Sequence, residues 1–164
     1  IMDDLKEKKV GLHKIKQSTI YKLLKQLHDK NEIYRKSGAV HGCALCSSDE
    51  ILDFVEDVGR HNAVDAIAGH MWLNALEGEN KIFYTTGRLT SEMVIKVAQM
   101  NISVLLSRSG ITEMGLNVAK ETNVTLLGRA KGRHFLVYNG KDNIDFDAIP
   151  DPRPEGASDI WKRR

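Results

Sequence analysis

The stretch that decides the fold is residues 81–129, KIFYTTGRLTSEMVIKVAQMNISVLLSRSGITEMGLNVAKETNVTLLGR. Three short apolar runs in it are typical of buried strands, and the two segments between them carry apolar residues at the spacing of one helix face. Strands that alternate with helices of this length form a largely parallel sheet with helices on both faces. The predicted strands are Lys81–Thr85, Ile102–Ser107 and Val124–Arg129, and the predicted helices are Ser91–Gln99, capped by Thr90, and Thr112–Glu121.

Strands are also predicted on either side of this stretch. Gly38–Leu45 and Ile51–Val55 read as two short strands joined by a polar turn at residues 47–49, which predicts a hairpin. A last strand, Phe135–Tyr138, follows a basic turn. The sequence therefore predicts an α/β fold with a mixed, mostly parallel sheet that is flanked by helices.

Two further helices are predicted from the spacing of apolar residues. Ser18 can cap the first, and Gly78 ends the second, which runs over His61–Leu76. One face of the first helix is expected to be buried, and it consists of Ile20, Leu23, Leu24 and Leu27.

The composition fits one globular domain. The chain has 164 residues, of which 41% are hydrophobic, and a net charge of +2, which does not favour nucleic-acid binding. No apolar run reaches the roughly 20 residues that span a membrane, and two cysteines without a secretion signal indicate a cytoplasmic protein. Because Ile1 precedes Met2, the chain is expected to be a piece of a longer protein. The predicted boundaries are an N-terminal segment or linker at 1–17, a domain at 18–140 and a tail at 141–164, which holds all three prolines.

Four loops at predicted strand ends combine glycine with arginine, at residues 56–61, 85–88, 107–110 and 128–134. Glycine lets backbone N–H groups approach an anion, and the planar guanidinium group matches phosphate geometry. The loops predict a pocket for a large polyanionic ligand, although glycines that end strands and solvated arginines would look the same. The candidate pocket residues are His41, Asp57, Arg60, His61, Arg88 and Arg108.

Cys43 and Cys46 lie three residues apart and close to His41. Three roles are open for them: zinc ligands, a thiol pair for redox or sulfur chemistry, and small buried hydrophobic residues. On a regular strand residues 43 and 46 point to opposite faces, and the signature of zinc deaminases is missing, so no metal site is predicted. Asp57, Arg60 and His61, for their part, could form a purely structural network.

Four segments, in this order along the chain, carry a resemblance to a known family. They are SGAVH at Ser37–His41, EDVGRHNAVD at Glu56–Asp65, GRLTSEMV at Gly87–Val94 and VTLLGRAKGRHFLVY at Val124–Tyr138. They resemble motifs of the FdhD/NarQ family, the formate dehydrogenase accessory sulfurtransferases, and the resemblance extends over residues 18–138.

The resemblance implies a cytidine-deaminase-like, three-layer fold. It also implies a sulfur carrier that takes sulfur from a cysteine desulfurase as a persulfide and passes it to bis-molybdopterin guanine dinucleotide, before that cofactor is inserted into formate dehydrogenase. GDP would be a partial mimic of the cofactor, and a homodimer is expected. The family's cofactor-binding turn falls on Arg129, Ala130, Lys131, Gly132, Arg133 and His134.

The chain also departs from the family pattern. The family's persulfide cysteines stand in a Cys-Gly-x-Cys-Gly motif that would precede this chain, so no catalytic residue is assigned here, and Cys43 and Cys46 do not inherit the role. Lys131 also stands where the family has a glycine. Two alternatives are open: a cofactor chaperone that moves no sulfur, and a zinc-dependent, deaminase-like hydrolase that uses His41 with the two cysteines.

Overall fold

The structure is a computed structural model, and it describes residues 9–152. Its elements alternate as the sequence predicts, and no helix in this range is long and apolar enough to cross a membrane. The strands are β1 (Ile15–Lys16), β2 (His41–Cys46), β3 (Ile51–Asp57), β4 (Ile82–Thr85), β5 (Val104–Ser107), β6 (Thr125–Lys131), β7 (His134–Asn139) and β8 (Ile144–Asp145). The helices are α1 (Gln17–Lys30), α2 (Glu32–Ser37), α3 (Arg60–Leu73), α4 (Ser91–Gln99) and α5 (Glu113–Thr122), with a 3₁₀ turn at Lys141–Asn143.

Six strands form one mixed sheet in the order β3-β2-β4-β5-β6-β7. The central strands β4, β5 and β6 are parallel, whereas β3, β2 and β7 join in antiparallel pairs. The predicted α/β fold with a mixed sheet and flanking helices is therefore confirmed, but the sheet is not mostly parallel, because three of its five strand pairings are antiparallel. The closer likeness to cytidine deaminases stays a prediction.

Helices cover both faces of the sheet and bury a core on each. The α3–α5 core joins side chains such as Ile67, Phe83 and Val97, and the α1-side core contains Ile20, Leu23 and other apolar positions of α1. The spacing of apolar residues in the sequence predicted the buried faces of the helices on both sides of the sheet. Because side chains alternate along a strand, successive buried residues of a central strand enter opposite cores, as Leu105 and Leu106 of β5 do.

The first helix does not begin as predicted. It starts at Gln17, and Ser18 lies inside its first turn instead of capping it. The backbone N–H of Ser18 donates to Asp147 Oδ1 at 2.9 Å and its hydroxyl donates to Asp147 Oδ2 at 2.6 Å. A carboxylate 129 residues away in sequence thus takes the part of a cap, which local sequence cannot reveal.

Two other predicted boundaries were wrong. The strand predicted from Gly38 begins at His41, because the preceding residues form α2 and Gly38 ends that helix at φ +64°. The helix predicted to end at Gly78 stops at Leu73. Gly78 instead lies against the carbonyl oxygen of Met100, so closely that a Cβ atom there would overlap it.

The ends of the described chain are part of the fold. β1 and β8 form a two-stranded parallel sheet, and Ile15 and Ile144 are buried in the α1-side core. Val10 is buried in the α3–α5 core. Core residues therefore lie on both sides of the predicted 18–140 domain, while the parts of the predicted segments at 1–8 and 153–164 lie outside the described residues.

Candidate functional site

A cavity of about 780 Å³ opens on the α1 side of the sheet. Its inner part is lined by Tyr84, at the carboxyl end of β4, and by Arg108, just after β5. Helix α1 provides one wall and the turn between β6 and β7 another. The carboxyl ends of parallel strands are where open α/β sheets bind ligands, so the location is that of a binding site.

The lining of the cavity is cationic. Five of its side chains are lysine or arginine, and no aspartate or glutamate is found among the described residues that line it. Such a surface attracts anions and gives them charge-assisted hydrogen bonds. The five are Lys22, Lys25, Arg108, Lys131 and Arg133.

Two of these arginines lie over tyrosine rings. The guanidinium carbon of Arg108 lies 5.7 Å from the centre of the Tyr34 ring, and that of Arg133 lies 5.1 Å from the centre of the Tyr21 ring. Both distances are within the range of cation–π attraction. Each contact restricts the guanidinium group to the edge of the cavity, so that less side-chain entropy is lost when a ligand binds.

Glu56 holds the helix that places Tyr34 at the cavity. Its carboxylate accepts the backbone N–H of Tyr34 at 2.8 Å and that of Ile33 at 3.3 Å. A carboxylate at the first turn of α2 satisfies unpaired N–H groups and complements the helix dipole. Glu56 therefore anchors α2, and with it Tyr34, to the end of β3.

Four residues of the predicted cofactor-binding turn line the cavity: Ala130, Lys131, Gly132 and Arg133. The other two lie elsewhere. Arg129 takes a left-handed conformation at φ +53°, and its guanidinium group packs beside Gly110. His134 begins β7 and is not part of the lining.

A short segment after β8 ties down Arg133. The guanidinium Nη2 donates to the carbonyl oxygen of Ile149 at 2.8 Å, and Nε lies 3.4 Å from Asp151 Oδ1. Ala148 of the same segment lines the cavity. Arg133 is half exposed, so these contacts are weak enough for a ligand to replace.

The six predicted pocket residues do not form one pocket, which corrects that prediction. Arg108 lines the cavity, whereas His41 and Arg60 lie on the other face of the sheet. The reason is strand alternation: His41 shares a face with Cys43 in the α3–α5 core, and Arg108 follows β5 on the face of Tyr84. Arg88 is exposed and outside the cavity lining.

On that other face, the remaining predicted residues make local contacts. His41 Nδ1 lies 3.5 Å from Thr86 Oγ1, and burial, followed by the charge of Arg60, lowers the pKa of His41. Asp57 Oδ1 accepts the N–H of Gly59 at 2.7 Å and an amide hydrogen of Asn62 at 3.1 Å. Asp57 is thus used within its own turn, and the proposed network with Arg60 and His61 is not formed.

His61 instead faces the first turn of α4. Its Nε2 lies 3.1 Å from Glu92 Oε2, without the angles of a hydrogen bond. The two family-like segments around His61 and Glu92 therefore meet in space, although they are separated in sequence.

Cys43 and Cys46 are fully buried on opposite faces of β2, in the α3–α5 core and the α1-side core respectively. Burial raises the pKa of each thiol to about 12. Together with His41 they cannot surround one metal ion, and within residues 9–152 no three metal-ligating side chains are grouped for one. The two cysteines act as small hydrophobic residues, which is one of the three roles considered above.

Sequence reasoning missed the aromatic and amide residues of the cavity. Tyr84 and Asn31 are each 3% exposed and meet at its inner wall, and Tyr21 is 8% exposed. The one signal for them was on α1, where Lys22 and Lys25 stand beside an apolar stripe with a tyrosine at its edge. Periodicity alone assigns such residues to core or solvent and not to a cavity between the two.

The sequence profile of the FdhD/NarQ family matches residues 1–145 of this chain. The chain belongs to the FdhD/NarQ family. The sulfur carrier protein FdhD of Bacillus pumilus is 33% identical over 145 residues, which are 87% of this chain and 55% of that protein. The protein of the same name from Listeria monocytogenes is 37% identical over 125 residues, 76% of this chain and 48% of that one.

A solved structure agrees with the FdhD/NarQ assignment. The crystal structure of a putative formate dehydrogenase accessory protein from Desulfotalea psychrophila superposes with a TM-score of 0.77 at 31% sequence identity. It covers 84% of this chain and 59% of that one. The chain thus spans about half the length of the curated FdhD relatives that it matches.

Proposed function

We propose that this chain is the cofactor-binding part of a formate dehydrogenase accessory protein, a sulfur carrier for bis-molybdopterin guanine dinucleotide. The observation that carries the proposal is the cationic, tyrosine-lined cavity at the turn where the family resemblance expects the cofactor. The relatives named sulfur carrier protein FdhD support it.

The residues present fit a guanine dinucleotide. Lys131 and Arg133 would hold its phosphates at the β6–β7 turn, and the cavity volume of about 780 Å³ suits one nucleotide end of the cofactor. When bound, the cofactor supplies the metal and dithiolene chemistry. This chain would bind it, orient it and present it to the sulfur donor.

The sulfur-transfer step itself needs an accessible, ionisable thiol. Cys43 and Cys46 are fully buried and their pKa values are near 12, so we assign the persulfide to a cysteine outside this chain. In this proposal the sulfurtransferase activity belongs to the longer protein. A cysteine desulfurase would supply the sulfur, formate dehydrogenase would receive the cofactor, and the protein would act in the cytoplasm as a homodimer.

The same observation favours a second candidate, a cofactor chaperone that delivers the dinucleotide without moving sulfur. A zinc-dependent hydrolase that uses His41 and the two cysteines is disfavoured, because Cys43 and Cys46 point to opposite sides of the sheet.

Calorimetric titration of GDP tests the binding site. Replacing Lys131 and Arg133 with alanine removes two charge-assisted partners, each worth about 1.5–3 kcal/mol when well aligned. Both side chains are exposed to solvent, which reduces the combined loss to about 1.4 kcal/mol, or about tenfold in affinity. The double variant Lys120→Ala/Lys141→Ala removes the same charge from exposed positions outside the cavity lining and should bind GDP nearly as the wild type does. If both double variants lost the same affinity for GDP, the β6–β7 turn would contribute only through the overall charge of the protein and not through direct contacts.

A further inference from the structure

The cavity has a buried inner wall and an exposed rim. Tyr84 and Asn31 at the inner wall are each 3% exposed, whereas Lys22, Lys25 and Lys131 at the rim are open to solvent. Exposed, flexible cations suit phosphates, which stay partly hydrated. A buried wall with few polar atoms suits a flat base and reads its edge through those atoms.

The direction of the Tyr84 hydroxyl follows from a chain of hydrogen bonds. The amide nitrogen of Asn31 donates to the carbonyl oxygen of Leu27 at 2.8 Å, which fixes which way the amide faces. The same nitrogen donates to Tyr84 Oη at 3.4 Å. Since the hydroxyl of Tyr84 accepts from Asn31, its own hydrogen is directed elsewhere, and burial raises the pKa of Tyr84 so that the hydrogen is retained.

Tyr21 repeats this arrangement on the next side of the cavity. Gln17 Oε1 accepts the backbone N–H of Ala148 at 3.2 Å, so that its nitrogen faces Tyr21 Oη and donates to it at 2.7 Å. The hydroxyl of Tyr21 is therefore also a donor to its surroundings.

The inner wall consequently offers donors and few acceptors. Arg108 adds guanidinium N–H groups close to Tyr84, and it has no acceptor atom. Asn31 Oδ1 lies against Gly42, where a Cβ atom would overlap it, and so is turned away from a ligand. A base bound there would have to present acceptors.

We propose that the Tyr84 hydroxyl is a specificity-determining donor, which reads the base of the guanine nucleotide that the proposed function assigns to this cavity. Guanine carries two acceptors, O6 and N7, on one edge, where adenine has the donating N6 amine beside N7. Adenine would therefore set an N–H group against the donors of Tyr84 and Arg108. The inference rests on the proposed function, since it names what the binding site recognises.

Titration of three nucleotides tests it: GDP, IDP, which keeps O6 and N7 but lacks the 2-amino group, and ADP. The wild type should bind GDP and IDP alike and ADP at least about tenfold more weakly. Tyr84→Phe removes only the hydroxyl, and Asn31 keeps its bond to Leu27, so the fold should survive. The variant should lose about three- to tenfold in affinity for GDP and IDP and none for ADP. Tyr138→Phe, on β7 and packed against the α3–α5 core, is the matched control and should change none of the three affinities.

The outcomes separate the two proposals. If the wild type binds no GDP, the proposed function fails and this inference fails with it. If GDP binds but ADP binds as tightly, or Tyr84→Phe lowers all three affinities equally, only the inference is overturned. An intact melting temperature for Tyr84→Phe assigns a selective loss to recognition instead of folding.

Discussion

The assignment of the persulfide outside this chain rests on the inertness of Cys43 and Cys46, which alkylation of the native protein tests directly. With pKa values near 12, about one thiol in 10⁴ is ionised at about pH 8, against about one in ten at the ordinary value of 9.0. The higher intrinsic reactivity of a more basic thiolate recovers part of this thousandfold deficit, so ionisation alone slows the reaction by about thirty- to sixtyfold. Both sulfur atoms are also inaccessible, at 0% exposure, which slows it further.

The assay is treatment with iodoacetamide, followed by the mass of the intact protein over time. The folded chain should stay unlabelled on a timescale at which a free cysteine reacts completely. In concentrated urea both cysteines should react, so that the mass shows two labels per chain. The single variants Cys43→Ala and Cys46→Ala assign any label that appears. Rapid modification of one cysteine in the folded protein would refute the reasoning and make that residue a candidate sulfur carrier.

Two further predictions concern stability. Asp147→Ala should destabilise the fold at neutral pH, because the carboxylate receives two hydrogen bonds from Ser18, which lower its pKa. The difference in stability from the wild type should vanish in acid, where Asp147 is protonated. Thermal melts at a series of pH values test this, and a difference that stays constant with pH would contradict it. Gly69→Ala, in α3, places its new Cβ where no atom lies within 4 Å, and it should stabilise the protein by about 0.5–1 kcal/mol. In Gly78→Ala the Cβ collides with the carbonyl oxygen of Met100, so this variant should be destabilised by a larger amount. Urea unfolding measures both changes, and equal shifts would contradict the packing described.

The sequence predicted the sheet well because its strands and helices are short, periodic and locally encoded. The strand predicted at Ile102–Ser107 and the helix at Ser91–Gln99 match β5 and α4 within two residues. The errors fall where a distant group decides the local structure. Asp147 sets the start of α1, and Glu56 supports α2 from the end of β3, although the strand had been predicted to begin directly after this helix, at Gly38.

The site was harder to predict than the fold. Glycine and arginine marked the strand ends correctly, yet the side to which each side chain points depends on strand register, which separated Arg108 from His41. The cavity also needs Tyr84 and Asn31, whose partners are far away in sequence. Register and long-range hydrogen bonds are properties of the assembled sheet, and one sequence does not display them.

The link between Ser18 and Asp147 has a consequence for the order in which the protein is built. The first turn of α1 and the segment that carries Ala148 and Ile149 are joined only after almost the whole described chain has been made. Closing so long a loop costs entropy that is recovered only when the intervening sheet is already in place. The cavity, with one wall on α1 and Arg133 held from the far end, should therefore be the last part of the molecule to form, and its ability to bind a ligand would report on completed folding.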